Sequence, residues 1–89
     1  MQYFNDEENS AGTDEKFSLK GSSQGEVMEV CDLIGGLGFK RKLASMGIMK
    51  GVTIEILSVS RGGQIIVSCL GSRYILGKSI TEKIIVKKR

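Results

Sequence analysis

Short runs of alternating apolar and polar residues recur along this 89-residue chain, a pattern typical of β-strands. Residues 52–59 alternate until the phase slips at Leu57, as it does at a β-bulge. By the same criterion, further strands are predicted at 26–33, 65–70, 74–76 and 84–86. Gly71 and Ser72 are predicted to form a two-residue hairpin turn between the strands at 65–70 and 74–76.

One helix is predicted, over residues 37–46. Three apolar residues fall on one face at helical spacing: Phe39, Leu43 and Met46. The cations at 40–42 oppose the helix dipole, so packing of this face on the sheet must hold the helix. Gly47 follows at once and is predicted to be the left-handed residue that ends it, and Gly51 marks a second turn.

Five short strands, one short helix and Gly-rich turns predict a mainly β domain, a small antiparallel barrel, in residues 24–89. Residues 1–23 show no sustained periodicity and are rich in acidic and small polar residues, so they are predicted to be a disordered acidic tail. Within that tail, Phe17 and Leu19 are the candidates for docking on the barrel as an edge extension.

The charge distribution adds an asymmetry to this division. Residues 1–25 hold five carboxylates and two lysines, whereas residues 26–89 hold eleven cations and five carboxylates. The tail therefore either keeps a mildly basic domain in solution or competes with a ligand for its basic surface. A basic surface also leaves open a nucleic-acid-binding barrel, although the predicted folded part has only Phe39 and Tyr74 as aromatic residues to stack bases.

The residue types argue against an enzyme and against a resident metal or cofactor. The chain has no His, which removes the usual general base and the commonest transition-metal ligand. Cys31 and Cys69 have no metal-binding spacing and are predicted to be reduced core residues, with a disulfide or a soft-metal pair as the alternatives. Gly77-Lys78-Ser79 resembles the end of a phosphate-binding loop, but Ser72 stands where that motif needs its first glycine.

No stretch of the sequence is long and apolar enough to span a bilayer, and the acidic N-terminus lacks the apolar core of a secretory signal. We therefore expect a cytoplasmic protein with no direct membrane insertion, which a partner could recruit to the inner face of the membrane.

Residues 32–51 carry a more specific pattern, an Asp-Leu with paired glycines followed by Lys-Leu-x-x-Met-Gly-Ile-x-x-Gly. This segment resembles the FeoA family, and the motif positions are Lys42, Leu43, Met46, Gly47 and Gly51. The resemblance extends over roughly residues 26–87, although Lys50 stands where the family often has proline. It implies an SH3-like five-stranded antiparallel barrel with one short α-helix.

The resemblance also implies a function. FeoA proteins are non-enzymatic accessory proteins of bacterial ferrous-iron uptake, so the expected partner is the cytoplasmic GTP-binding part of the membrane iron permease. The residues expected to bind it surround the end of the helix: Lys42, Leu43, Met46, Ile48 and Met49. Core packing is the alternative for Leu43 and Met46, and Gly47 and Gly51 are expected to be structural.

Two further points stay open. The protein could stimulate GTP hydrolysis by its partner, with Arg41, Arg61 or Arg73 as a supplied arginine. The sequence also leaves open a weak homo-oligomer.

Overall fold

The computed structural model describes residues 15–89, which form one antiparallel sheet and two helices around a single core. The strands are β1 Lys16–Ser18, β2 Val27–Leu33, β3 Thr53–Val59, β4 Ile65–Cys69, β5 Ser72–Leu76 and β6 Ile84–Lys88. The helices are α1 Leu37–Ser45 and the single turn α2 Lys78–Thr81, and a 3-10 turn occupies Leu19–Gly21. The order across the sheet is β1-β6-β2-β3-β4-β5.

The mainly β antiparallel fold with one short helix is confirmed, with two corrections. Residues 15–89 contain six strands rather than five, and the edge strands β1 and β5 do not pair with each other, so the sheet does not close. The sixth strand is β1, which adds to β6 with Phe17 opposite Val86.

Strand β1 and the turn after it confirm the edge docking expected of Phe17 and Leu19, and they show that part of the predicted tail is folded. Leu19 is fully buried in the core, and Phe17 packs against that core. The Ser18 hydroxyl fixes the segment by donating a hydrogen bond of 2.9 Å to the Thr81 carbonyl oxygen. Residues 16–21 therefore belong to the folded domain, and residues 1–14 of the predicted tail lie outside the described residues.

Two β-bulges explain why the strand patterns were irregular. In β3 the register shifts between Ile56 and Ser58, which confirms the slip predicted at Leu57. In β2 it shifts between Val30 and Asp32, so that Val30 and Leu33 both face the core although they are three residues apart. The bulge in β2 thus lets both parts of that strand bury apolar side chains, whereas the part of β3 beyond its bulge ends at the exposed Val59.

The turn between β4 and β5 lies one residue earlier than predicted. Cys69 pairs with Ser72, so the two turn residues are Leu70 and Gly71. Their φ angles are +51° and +84°, the conformation of a type I′ hairpin turn. The prediction put glycine first, whereas the chain puts it second and forces Leu70 into the left-handed region.

Helix α1 ends in a Schellman motif centred on Gly47, which has φ +83° as predicted. The Gly47 N–H donates to the Ala44 carbonyl oxygen, and the Ile48 N–H donates to that of Leu43, each at 2.9 Å. Leu43 and Ile48 are both fully buried, which supplies the hydrophobic contact that accompanies this motif. The inward face predicted for the helix is also confirmed, because three side chains pack in or against the core: Phe39, Leu43 and Met46.

The Schellman turn lies directly against the hairpin between β4 and β5. A Cβ atom added to Gly47 would come within 2.8 Å of the Leu70 Cδ1 atom. The Cys69 thiol lies beneath the same turn, with its Sγ atom 3.6 Å from the Gly47 carbonyl oxygen. Position 47 therefore needs glycine both for its backbone conformation and for space.

We expect Gly47→Ala to lower the free energy of unfolding by about 1–3 kcal/mol, because alanine is strained at this φ and its methyl group meets Leu70. Urea denaturation measures the change. Gly51→Ala shares the positive φ but has open space around the new Cβ, so its loss should be smaller.

The matched control is Gly38→Ala, in the first turn of α1. Its Cβ would meet nothing within 4 Å and its φ is not positive, so we expect up to about 1 kcal/mol of added stability. Equal losses at positions 47 and 38 would show that the Schellman geometry does not set the requirement for glycine.

Candidate partner-binding surface

The five residues predicted to bind a partner divide between the core and the surface. Leu43 and Ile48 are fully buried, so neither has a side chain available to a partner. Sequence spacing showed that Leu43 lies on the inner face of α1, but Ile48 is drawn inward by the Schellman motif, which a helical pattern does not reveal. This finding corrects the prediction for those two positions.

The other three predicted residues reach the surface to different degrees. Lys42 is exposed in the last turn of α1, and Met49 exposes 45% of its surface just after the Schellman turn. Met46 is half-buried and packs against the core. Their role in binding stays a prediction, now confined to these three residues.

The turn that presents Met49 is fixed to the sheet. Gly51, with φ +90°, donates its N–H to the Val30 carbonyl oxygen at 2.8 Å, and Val30 donates back to the Val52 carbonyl oxygen at 2.9 Å. Within the turn, the Val52 N–H donates to the Met49 carbonyl oxygen at 3.1 Å. The exposed Met49 side chain therefore stands on a rigid base, and the positive φ angles of Gly47 and Gly51 fit the structural role expected of them.

Leu70 belongs to the same end of the molecule, and sequence reasoning missed it. Its side chain leans on Gly47 yet is 75% exposed, the largest exposed fraction among the exposed large hydrophobic residues of 15–89. The sequence signal that could have identified Leu70 as an exposed turn residue is its position directly before a glycine and between two predicted strands. We call the group formed by Lys42, Met46, Met49 and Leu70 the helix-end surface.

Charge is distributed unevenly over the domain. Between residues 33 and 81, Glu55 is the one carboxylate, against seven cations: Lys40, Arg41, Lys42, Lys50, Arg61, Arg73 and Lys78. All seven are exposed, and none takes part in an ion pair within the described part of the chain. This stretch of the sequence therefore carries exposed cations that no ion pair described within residues 15–89 neutralises, and they are spread over several elements of the fold.

The ion pairs that the structure describes lie elsewhere, around β2, β6 and the turns beside them. They join Lys20 to Glu82 at 3.3 Å, Lys88 to Glu26 at 3.2 Å and Arg89 to Glu29 at 3.9 Å. The Ser23 N–H donates to the Glu26 carboxylate at 2.6 Å and, together with Lys88, holds the pKa of that carboxyl below its usual value. Glu26 and Glu29 thus neutralise cations of the C-terminal strand.

Metal and nucleotide chemistry find no support in residues 15–89. No three His, Cys, Asp or Glu side chains come together there as metal ligands, and no ligand cavity is enclosed. Gly77-Lys78-Ser79 leads only into the four-residue α2, where Gly63 packs against the Lys78 side chain. Gly35, two residues before α1, also has a packing role, because a Cβ atom added to it would lie 2.7 Å from the Phe39 ring.

Both cysteines are free thiols, and their environments differ. Cys69 is buried in β4, which raises the pKa of its thiol through desolvation. Cys31 lies at the β2 bulge and is half-buried. Cys69 fits the small core residue that the sequence predicted, whereas Cys31 reaches the surface.

Among residues 15–89 no helix has the length and apolar character needed to cross a bilayer.

The sheet order, the short α1 beside the core and the solid interior define a small SH3-like β-domain. The FeoA domain family matches residues 17–88, and the chain belongs to that family. The match begins at β1, in agreement with the corrected start of the domain.

Individual relatives agree with this assignment. The chain is 30% identical over 71 residues to an Fe(2+) transport protein A of Methanocaldococcus jannaschii, covering 80% of this chain and 85% of that protein. It is also similar to the crystal structure of an iron uptake regulatory protein, FeoA, with 33% identity and a TM-score of 0.76, covering 84% of this chain and 99% of that one.

A manganese-dependent transcriptional repressor shares the fold as part of a longer chain. Its TM-score is 0.75 at 21% identity, and the match covers 83% of this chain and 42% of the repressor. At that identity the likeness concerns the fold alone.

We expect thiol reagents at pH 8 to label Cys31 at least about tenfold faster than Cys69, because the Cys69 thiol is buried and its raised pKa disfavours the reactive thiolate. Mass spectrometry of the intact chain and of a Cys31→Ser variant, which leaves Cys69 as the one thiol, measures both rates. Urea should remove the difference.

The same pKa shift fixes the sign of a pH effect. Folding disfavours the Cys69 thiolate, so the contribution of Cys69 to stability is fully present below the ordinary pKa of a thiol and declines as the pH rises through the raised pKa of the folded state. Equal labelling of the two thiols in the folded protein would contradict the burial of Cys69.

Proposed function

We propose that this protein is a non-enzymatic accessory protein of ferrous-iron uptake that binds the cytoplasmic GTP-binding part of the membrane iron permease through its helix-end surface. Membership of the FeoA family supports involvement in ferrous-iron transport. The observation that carries the finer proposal is an exposed methionine, Met49, on a fixed turn beside uncompensated cations.

A protein partner suits this surface better than a small ligand does. Residues 15–89 enclose no cavity, whereas small-molecule sites are concave and bury most of their ligand. Met46 and Met49 have flexible, polarisable side chains, which adapt to a partner's surface, and the buried Leu43 and Ile48 hold the backbone beneath them. The surface thus combines adaptable contacts with a rigid support.

The uncompensated cations support an acidic partner that is steered by charge. Lys42 lies in the helix-end surface and Lys50 directly follows Met49, and neither has an ion pair within residues 15–89. Complementary charge mainly raises the rate of association and excludes wrong partners. Apolar contacts from Met46 and Met49 would then set the lifetime of the complex.

The two alternative functions have weaker support. Single-stranded nucleic acid is bound by stacking bases on exposed aromatic rings, but the aromatic residues of 15–89 are half-buried against the core: Phe17, Phe39 and Tyr74. Arg41, Arg61 and Arg73 are all exposed on different parts of the fold, so no observation favours one of them as an arginine supplied to GTP. We keep the adaptor function and a cytoplasmic location, with recruitment to the membrane through the partner.

We expect Met49→Asp to weaken binding to the isolated cytoplasmic GTP-binding domain of the permease by at least about tenfold, since it removes an apolar contact and adds a carboxylate facing an acidic partner. Isothermal titration calorimetry measures the affinity. Met49 is partly exposed and lies outside the strands, so the Tm should change little.

The matched control is Val59→Asp, which adds the same charge at a residue of similar exposure, 39%. Val59 is the last residue of β3 and pairs with Ile65 at the start of β4, so it lies at the end of β4 away from the hairpin turn. Its affinity should stay within about twofold of the unmutated chain. Unchanged binding by Met49→Asp, or equal losses in both variants, would remove Met49 from the contact.

A further inference from the structure

Leu70 occupies a position that is unfavourable for leucine in two respects, its backbone conformation and its exposure to solvent. It is the one non-glycine residue of 15–89 with a positive φ, +51°, where the side chain of an L-residue other than Asn or Asp is strained. The same side chain is 75% exposed, so burial offsets little of that strain. Type I′ turns favour Asn or Gly at this position, which would leave the hairpin intact without either cost. Strain of this kind points to a role outside the fold.

The surroundings of Leu70 hold its side chain in place on the surface. Its Cδ1 atom lies over Gly47, close enough that no larger residue fits there. Beneath Gly47, the Cys69 Sγ atom lies 3.6 Å from the Gly47 carbonyl oxygen. The Leu70 side chain thus rests on Gly47, which lies one residue after Met46 and two residues before Met49 in the sequence. The rest of this apolar side chain projects into solvent.

We infer that Leu70 is an apolar anchor that enters a pocket ringed by carboxylates on the permease's cytoplasmic GTP-binding domain. The inference rests on the proposed function and adds to it a second chain segment, the tip of the β4–β5 hairpin. In protein interfaces a few side chains in desolvated pockets, surrounded by contacts that exclude water, carry most of the binding energy.

Charge complementarity decides between an acidic partner and a second copy of this chain. Exposed cations flank the Schellman turn on which Leu70 leans, because Lys42 lies in the last turn of α1 and Lys50 directly follows Met49. A symmetric contact between two copies through Leu70 would bring both cationic surfaces together, and like charges at an interface are strongly unfavourable. An acidic surface on another protein meets the same cations with attraction.

The test compares the full chain with Leu70→Asn and Leu70→Gly in calorimetric titrations against the permease's GTP-binding domain, with thermal unfolding of each variant. Asn and Gly both tolerate the positive φ, so we expect the Tm to stay unchanged or rise by a few degrees while the affinity falls at least about tenfold. Ile75→Asn is the matched control, because Ile75 is 66% exposed on β5 with an ordinary backbone, and its affinity should not change.

The acidic character of the pocket is tested by a second pair of variants. A Lys42→Gln, Lys50→Gln double variant should lower the affinity and flatten its dependence on salt, because both lysines lack ion pairs within residues 15–89. Lys88→Gln is the control, since Lys88 is already paired with Glu26. An equal effect of both changes would overturn the acidic pocket.

Each remaining outcome also decides the matter. If the unmutated chain does not bind the domain, the proposed function and this inference both fail. If the unmutated chain and the Leu70 variants bind equally, the proposed function stands and the anchor is overturned. A fall in Tm in both Leu70 variants with unchanged affinity would assign Leu70 to packing on Gly47, and dimers of the unmutated chain that the Leu70 variants lose would assign it to self-association.

Discussion

The closure of α1 onto the sheet through Gly47 is the constraint on which the rest of this domain depends. The Schellman motif reverses the chain after a helix of nine residues and buries Leu43 and Ile48 together. A helix so short is not stable alone and needs the packing that this turn provides. The absence of a side chain at position 47 also lets the β4–β5 hairpin approach, which brings Leu70 to the end of the helix.

Most of the strand arrangement could be predicted from the sequence because burial on one face imposes a period of two, and a bulge leaves a visible slip in that period, as at Leu57. Strand β1 was expected only as an edge docking of Phe17 and Leu19, because three residues are too few to show a period and the place of the strand depends on pairing with β6. The hairpin turn was misplaced because Leu70 adopts a conformation that its residue type disfavours. The conformational preference of leucine did not predict this turn, because the tertiary structure holds Leu70 in a conformation that the residue disfavours.

The candidate site was predicted less completely than the fold, for a physical reason. Helical spacing identifies the inner face of α1, but the fate of a residue beyond the helix depends on how the chain turns. Ile48 and Met49 are adjacent and both apolar, yet the Schellman hydrogen bonds bury the first and expose the second. Sequence also gives charges without their partners: Lys88 and Lys50 look alike until the structure shows Lys88 paired with Glu26.

The domain thus has one region where ion pairs neutralise cations and another, at the end of α1, where the unpaired Lys42 and Lys50 accompany the exposed Met49 and Leu70. We propose that the second region is the contact surface. Amide chemical-shift changes in the ¹⁵N-labelled full chain, on addition of the permease's GTP-binding domain, test this most directly. We expect the largest changes at residues 46–50 and 70–71 and small changes in β1 and β6. Changes confined to β1 and β6, with none around the end of α1, would contradict this proposal.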